Sequence, residues 1–131
     1  MKEYSYGVCP YKIKKGKVQI LLIQPKGHLE WGFIKGKIDS DETKAECAIR
    51  ECLEETNIDV QINNLEDYFI QNNKRKNVGI FLINTKKLNL KNIKLQKKEV
   101  HRIKFFDLDS HILINKNQKE ILESIRNRFI F

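Results

Sequence analysis

The sequence predicts an α/β (α+β) fold, in which a mixed β-sheet lies between helices as a helix–sheet–helix sandwich. Apolar and alternating segments of strand length recur along the chain. Helical periodicity is confined to two segments, one in the interior of the chain and one at its C-terminus. The length of 131 residues allows a sizeable core, and we expect residues 1–131 to form a single domain.

The strands of the first half are predicted from apolar runs that end at turn residues. Residues 18–24 are dominated by the apolar run of residues 20–23, which predicts a buried strand. The expected elements of this half are a strand over 4–13, a turn over 14–17, a strand over 18–24, a loop over 25–28 and short extended pieces over 31–33 and 37–38.

The interior helix is predicted to follow an acidic loop. Ser40 is the expected N-cap, and the helix should run to about Thr56. At about 100° per residue, its apolar side chains share one face that should pack on the sheet. These are Ala45, Ala48, Ile49, Cys52 and Leu53.

The second half contains further strands and the C-terminal helix. We expect strands near 58–62, 66–71, 78–84 and 100–106, a basic hairpin tip over 72–77, a polar connection over 86–98 and a short helical turn over 109–114. An amphipathic helix over 117–129 should direct Ile121, Leu122, Ile125 and Phe129 into the core.

Glutamates are concentrated on the interior helix. Glu51, Glu54 and Glu55 are three and four residues apart, so their carboxylates lie side by side, and Glu46 precedes them. Such carboxylates repel one another unless a cation lies among them, and hard divalent cations take oxygen ligands. Arg50 lies beside this stripe, where it can orient carboxylates. The alternative is a solvated charged face, which is what most such clusters are.

The spacing of these residues back to a glycine points to more than a solvated face. The segment 36–58 resembles the Nudix box, with the pattern G-x5-E-x7-R-E-U-x-E-E-x-G-U, where U is a bulky apolar residue. The matching residues are Gly36, Glu42, Arg50, Glu51, Glu54, Glu55 and Ile58, with Cys52 at an apolar position and Asn57 in place of the last glycine. Asn is the residue that best tolerates the positive φ common at that point. The resemblance implies the Nudix fold.

The flanking segments resemble particular branches of this family. Residues 31–37 are similar to the W-x-F-P-K-G-K/H lead-in of dinucleoside polyphosphate hydrolases and of messenger-RNA decapping enzymes, with Ile34 in place of proline. Residues 31–50 are very similar to the decapping branch. Residues 99–122 are similar to the C-terminal half of small bacterial-type dinucleoside polyphosphate hydrolases.

The resemblance implies a role for each matching residue. Glu51, Glu54 and Glu55, with the backbone carbonyl of Lys35, correspond to ligands of Mg²⁺ or Mn²⁺. Arg50 corresponds to the arginine that holds the first of these glutamates. Gly36 and Glu42 are expected to be structural, with Glu42 supporting the geometry of loop and helix. The catalytic residues would be Glu54, Glu51, Arg50 and Glu99. Glu99 would be a metal ligand or general base, or else an exposed acid that opens a strand.

Contacts to the substrate are expected around the lead-in. Lys35 and Lys37 flank the box glycine and can contact phosphate, unless they are exposed loop lysines. Trp31 and Phe33 can stack on a base, with core packing as the alternative for Phe33. The basic tip over 74–76 can follow a nucleic-acid backbone or be a solvated turn.

Composition limits the partners. The formal net charge of +8 favours an anionic substrate but does not separate a small polyphosphate from an RNA 5′ end. No apolar run is long enough to span a membrane, no signal peptide is visible, and no protein partner is indicated. Cys9, Cys47 and Cys52 lack metal-ligand spacing, which favours reduced thiols in a cytoplasmic protein.

The leading hypothesis is a divalent-metal-dependent pyrophosphohydrolase that cleaves a nucleoside diphosphate linked to another moiety, with a dinucleoside polyphosphate such as diadenosine tetraphosphate as substrate. The first alternative is an RNA 5′-end pyrophosphohydrolase or decapping enzyme. The second is a non-catalytic module that binds nucleotide or RNA, which the intact set Arg50, Glu51, Glu54 and Glu55 disfavours.

Overall fold

The structure, a computed structural model, describes residues 1–130; Phe131, the last residue of the predicted domain, lies outside the described residues. Its strands are β1 (Glu3–Lys14), β2 (Lys17–Pro25), β3 (Ile34–Lys37), β4 (Tyr68–Asn72), β5 (Lys76–Asn84) and β6 (Val100–Asp107). The α-helices are α1 (Lys44–Thr56) and α2 (Lys119–Arg128), and short 3₁₀ helices cover Ile62–Asn64, Thr85–Lys87 and Lys116–Gln118.

Strand β1 is the middle of a six-stranded mixed sheet with the order β4-β5-β1-β2-β6. It runs parallel to β5 and antiparallel to β2. The first half of β1 also pairs with β3, so that Tyr6 lies opposite Gly36 on one side and opposite Gly79 on the other. The segment that leads into α1 is therefore fixed to the centre of the sheet.

Each face of the sheet carries its own core and its own helix. On one face, α1 buries Cys47, Ala48 and Cys52 completely. On the other face, α2 buries Ile121, Leu122 and Ile125, and Phe129 packs against the same cluster while partly exposed. The predicted helix–sheet–helix sandwich is confirmed. No helix within residues 1–130 has the length and apolar character that crossing a membrane requires.

The start of α1 differs from the prediction. Its N-cap is Thr43, not Ser40. The Thr43 hydroxyl accepts a hydrogen bond from the Glu46 amide at 3.1 Å, and the Glu46 carboxylate accepts one from the Thr43 amide at 2.9 Å. This reciprocal pair needs Glu or Gln three residues after the cap. Ser40 has Thr43 in that position, so it cannot form the pair.

The buried face of α1 is also rotated at its C-terminal end. Leu53, expected in the core, is 46% exposed, whereas Glu55 and Thr56 are buried. The connection between β5 and β6 covers this end of the helix. The amides of Lys94 and Gln96 donate to the carbonyls of Thr56 and Glu55 at 2.9 and 3.0 Å. A tertiary contact therefore decides which side of the last turn is covered.

Two smaller predictions were wrong. Residues 58–62 form no strand: Ile58 and Val60 are buried, but the segment pairs with no neighbour, so its alternation reflects burial alone. Residues 109–114 form a bend and an extended piece instead of a helical turn. Here the Trp31 amide donates to the Leu113 carbonyl at 2.8 Å, which holds the chain extended.

Candidate active site

Glu51 lies directly against the backbone of the box glycine. A β-carbon built on Gly36 would be 2.0 Å from Cδ of Glu51 and 2.2 and 2.3 Å from its two oxygens. Because no side chain fits in this space, the carboxylate of α1 reaches the edge of β3. The fixed spacing between this glycine and this glutamate thus has a steric origin.

Arg50 connects the loop, the helix and β3. Its guanidinium donates to both carboxylate oxygens of Glu42 at 2.5 and 2.8 Å, and to the carbonyl of Lys37 at 3.0 Å. It also donates to Glu51 at 3.1 Å and to Glu54 at 3.0 and 3.1 Å. Hydrogen bonding from Arg50 lowers the pKa of Glu42 to about 2. Glu42 thereby holds the arginine that contacts both Glu51 and Glu54.

Glu55 is the glutamate of the site whose pKa is raised most. It is 7% exposed, and its Oε1 has no hydrogen-bond partner among residues 1–130. Burial, followed by the charge of Glu51, raises its pKa to about 8, against the opposing effect of Lys35. A buried carboxylate oxygen without a partner is costly unless a cation or proton completes it.

Glu99 belongs to the same electrostatic group although it is distant in sequence. Its charge contributes to the raised pKa of both Glu51 and Glu55, in each case after burial as the largest cause. The connection between β5 and β6 brings it there, through the hydrogen bonds of Lys94 and Gln96 to the end of α1. Glu99 itself is exposed just before β6.

The donors present fit a hard divalent cation. Glu51, Glu54, Glu55 and the Lys35 carbonyl offer oxygen ligands only, and Oε1 of Glu55 has no hydrogen-bond partner within residues 1–130. No three His, Cys, Asp or Glu side chains of residues 1–130 are already arranged around a metal position. In the structure, Arg50 binds the carboxylates of Glu51 and Glu54.

The predicted substrate residues lie in different environments. Burial, followed by the charge of Lys76, lowers the pKa of the Lys35 amine to about 8, and the charges of Glu55 and Glu51 oppose this shift. Lys37 is exposed and forms an ion pair with Glu3 at 3.2 Å. Of the expected phosphate contacts, Lys35 is therefore the one whose charge interacts directly with the carboxylates.

The two aromatic residues of the lead-in are part of the core. Phe33 is 1% exposed and Trp31 8% exposed, both in the cluster beneath α2. The Phe33 amide donates to the Gln118 side chain at 2.7 Å, and Trp31 packs edge-on against Phe106. Both rings therefore pack in the core, which was the alternative for Phe33. Because both are buried, the structure does not support base stacking by either.

Gly7 escaped the sequence analysis, which assigned Asn57 a positive φ but no tertiary contact. Gly7 lets β3 approach β1, since a β-carbon there would lie 1.9 Å from the Ile34 carbonyl oxygen. Asn57 ends α1 with a φ of 63°, and its side-chain amide donates to the Asn92 carbonyl at 2.9 Å. A glycine inside an apolar strand was the signal available for Gly7. No local pattern predicts the bond from Asn57 to Asn92.

Sequence comparison agrees with this geometry. The profile of the NUDIX domain matches residues 2–127. The chain belongs to the Nudix family. It is 34% identical over 100 residues to the mRNA decapping complex subunit 2 of Schizosaccharomyces pombe, and 37% identical over 91 residues to the m7GpppN-mRNA hydrolase of Saccharomyces cerevisiae. These matches cover 76% and 68% of this chain but only 13% and 9% of the two relatives.

Solved Nudix structures share the fold. A Caenorhabditis elegans Ap4A hydrolase in a binary complex superposes with a TM-score of 0.68 at 24% identity, covering 96% of each chain. A MutT NUDIX hydrolase from Burkholderia pseudomallei gives a TM-score of 0.71 at 18% identity, covering 95% of this chain and 98% of the other. At these identities, the likeness concerns the fold.

Proposed function

We propose that this Nudix protein is a divalent-metal-dependent pyrophosphohydrolase, acting on a nucleoside diphosphate linked to another moiety. The buried, unpartnered Oε1 of Glu55 beside Glu51 carries the proposal. A protein gains nothing from burying repelling carboxylates unless a cation joins them. Mg²⁺ or Mn²⁺ fits the all-oxygen donor set of Glu51, Glu54, Glu55 and the Lys35 carbonyl.

The residues of the site have separate roles in hydrolysis. When bound, divalent ions neutralise charge on phosphate oxygens and lower the pKa of water. Arg50 holds Glu51 and Glu54 in place. Glu54 is the exposed member of the set, with 47% of its side chain accessible, and accepts the proton of the attacking water. The Lys35 amine binds a phosphate oxygen of the substrate.

As the substrate, we propose an RNA 5′ end in preference to the dinucleoside polyphosphate that the sequence analysis favoured. The relatives at 34% and 37% identity are named as an mRNA decapping complex subunit and an m7GpppN-mRNA hydrolase, whereas the Ap4A hydrolase is 24% identical. The long positive segment that adjoins Glu99 also suits a polymeric anion. Diadenosine tetraphosphate remains the second candidate, supported by the near-complete overlap with the Ap4A hydrolase.

A turnover screen with Mg²⁺ or Mn²⁺ tests the proposal. The substrates are capped RNA, 5′-triphosphorylated RNA, diadenosine tetraphosphate, a nucleotide sugar and a nucleoside triphosphate. We expect cleavage of a phosphoanhydride, lost at least about 100-fold in Glu54→Gln. The matched control is Glu46→Gln on the same helix, since glutamine preserves the capping box. Nucleotide binding without turnover of any substrate would favour the non-catalytic alternative instead.

We also propose a cytoplasmic location. Cys9, Cys47 and Cys52 are all free thiols and all buried. Thiols persist in a reducing compartment. Localisation of a tagged protein in its native cell would test this, and secretion into the medium would contradict it.

A further inference from the structure

The positive charge of the chain is concentrated in one segment. Residues 85–106, here called the basic segment, contain eight Lys and Arg and a single acid, Glu99, which gives a net charge of +7. The rest of the chain contains 17 cationic and 16 acidic residues, so it is nearly neutral. The net charge of +8 is therefore a local property of this segment.

The fold fixes the basic segment with its cations outward. Leu88, Leu90, Ile93 and Leu95 pack against the core cluster beneath α1. The lysines before, between and after them are exposed: Lys86, Lys87, Lys91, Lys94, Lys97 and Lys98. The hydrogen bonds to Glu55, Thr56 and Asn57 attach the segment to the end of α1. The lysines thus form an ordered positive surface.

The cations of this surface have no acidic partners. Within residues 1–130, none of them lies within 4.0 Å of a carboxylate, whereas Lys37, Lys76, Arg50, Arg126 and Arg128 all form ion pairs elsewhere. Along β6, Arg102 lies over the Trp31 ring and Lys104 over the Phe106 ring. The Arg102 side chain also donates to Gln24 at 2.9 Å. These contacts orient the cations without neutralising them.

The surface is continuous with the active site. The Gln96 amide of the basic segment donates to the backbone carbonyl of Glu55 at 3.0 Å. Glu99, the single acid of the segment, lies three residues further on. A small nucleotide held at the carboxylates has too few phosphates to engage eight further cations. A polymer with its end at the carboxylates supplies a phosphate for each.

We propose that the basic segment binds the phosphate backbone of single-stranded RNA whose 5′ end lies at the glutamates. This rests on the proposed function, because it assigns the body of the RNA substrate to a surface beside the same site. Binding here is electrostatic and independent of base sequence.

The experiment compares two variants of equal net charge. One replaces Lys86, Lys87, Lys91 and Lys94 by Gln. The matched control replaces four exposed lysines elsewhere by Gln, namely Lys14, Lys17, Lys116 and Lys119. The probe is a fluorescent 20-nucleotide RNA with a 5′ hydroxyl, titrated by anisotropy between 50 and 200 mM salt. Thermal melting confirms that both variants fold.

We expect the segment variant to bind RNA at least about tenfold more weakly, and the slope of log K against log salt to shrink by about 2 to 3, since each single-strand phosphate contact contributes about 0.7. The control should stay within about threefold of wild type. Equal weakening of both variants, or no binding by wild type at 50 mM salt, overturns the proposal. Binding to phosphatidylserine vesicles but not to RNA overturns it in favour of a membrane surface.

The probe separates this inference from the proposed function. A 5′-hydroxyl RNA offers no phosphoanhydride, so its binding requires no turnover. Failure of the wild-type protein to bind the RNA, while it still turns over a small nucleotide, would refute the surface alone. Binding of the RNA by the segment, with no hydrolysis of any substrate, would refute the proposed function alone.

Discussion

A β-carbon on Gly36 would lie 2.0 Å from the carboxyl carbon of Glu51, so the glycine of the box and its first helical glutamate occupy one shared space. Strand β3 and helix α1 are thereby held at a fixed distance. The electrostatics of the site depend on this contact, because Glu51 raises the pKa of the neighbouring Glu55.

Gly36→Ala should destabilise the protein and displace Glu51. We expect a loss of about 1–3 kcal/mol in the free energy of unfolding, typical of overpacking, together with reduced turnover. A double-mutant cycle with Glu51→Ala, measured by urea denaturation, checks the cause. In the Glu51→Ala protein, Gly36→Ala should lower the free energy of unfolding by much less. An unchanged cost would show that the clash involves other atoms.

Glu55→Gln should stabilise the metal-free protein and abolish its stabilisation by metal. The raised pKa of about 8 means that the free energy of unfolding of wild type falls as pH rises from 4.5 towards 8, by on the order of 5 kcal/mol. The variant should lack this slope. Thermal melting with EDTA or Mg²⁺ gives the second readout, with Glu46→Gln as control. An equal Mg²⁺ response in the variant would contradict ligation by Glu55.

Glu42 should set part of the acid stability of the fold. Its pKa is lowered from 4.5 to about 2, chiefly by the hydrogen bond from Arg50. The corresponding stabilisation is fully present above pH 4.5 and is lost as pH falls towards 2. Glu42→Gln should therefore flatten the loss of stability across this window in urea titrations. If the free energy of unfolding fell equally with acid in both proteins, the loss would come from other carboxylates.

Asn57→Gly should loosen the connection that carries Glu99. Glycine keeps the left-handed φ of 63° and removes the hydrogen bond to the Asn92 carbonyl. We expect faster hydrogen exchange at the amides of Lys94 and Gln96, and a few-fold lower kcat with KM nearly constant. Asn63→Gly, in an exposed 3₁₀ turn, is the control. Unchanged exchange would mean that apolar packing alone holds the connection.

Local sequence patterns were sufficient for much of the fold. The apolar runs over 18–24 and 78–84 became β2 and β5, and the C-terminal amphipathic helix became α2. These elements succeed because periodicity reports which face is buried. The same signal failed at 58–62, where Ile58 and Val60 are buried without any strand partner.

The sequence by itself determined the family and the helix of glutamates, because the spacing from Gly36 to Glu55 is local and steric. Only the tertiary structure decided that Glu55 is buried, that Phe33 is in the core, and that the distant Glu99 acts on the same carboxylates. These outcomes depend on contacts between α1, the sheet and the connection before β6. Burial and charge–charge coupling are set by neighbours in space, which no local pattern of residues specifies.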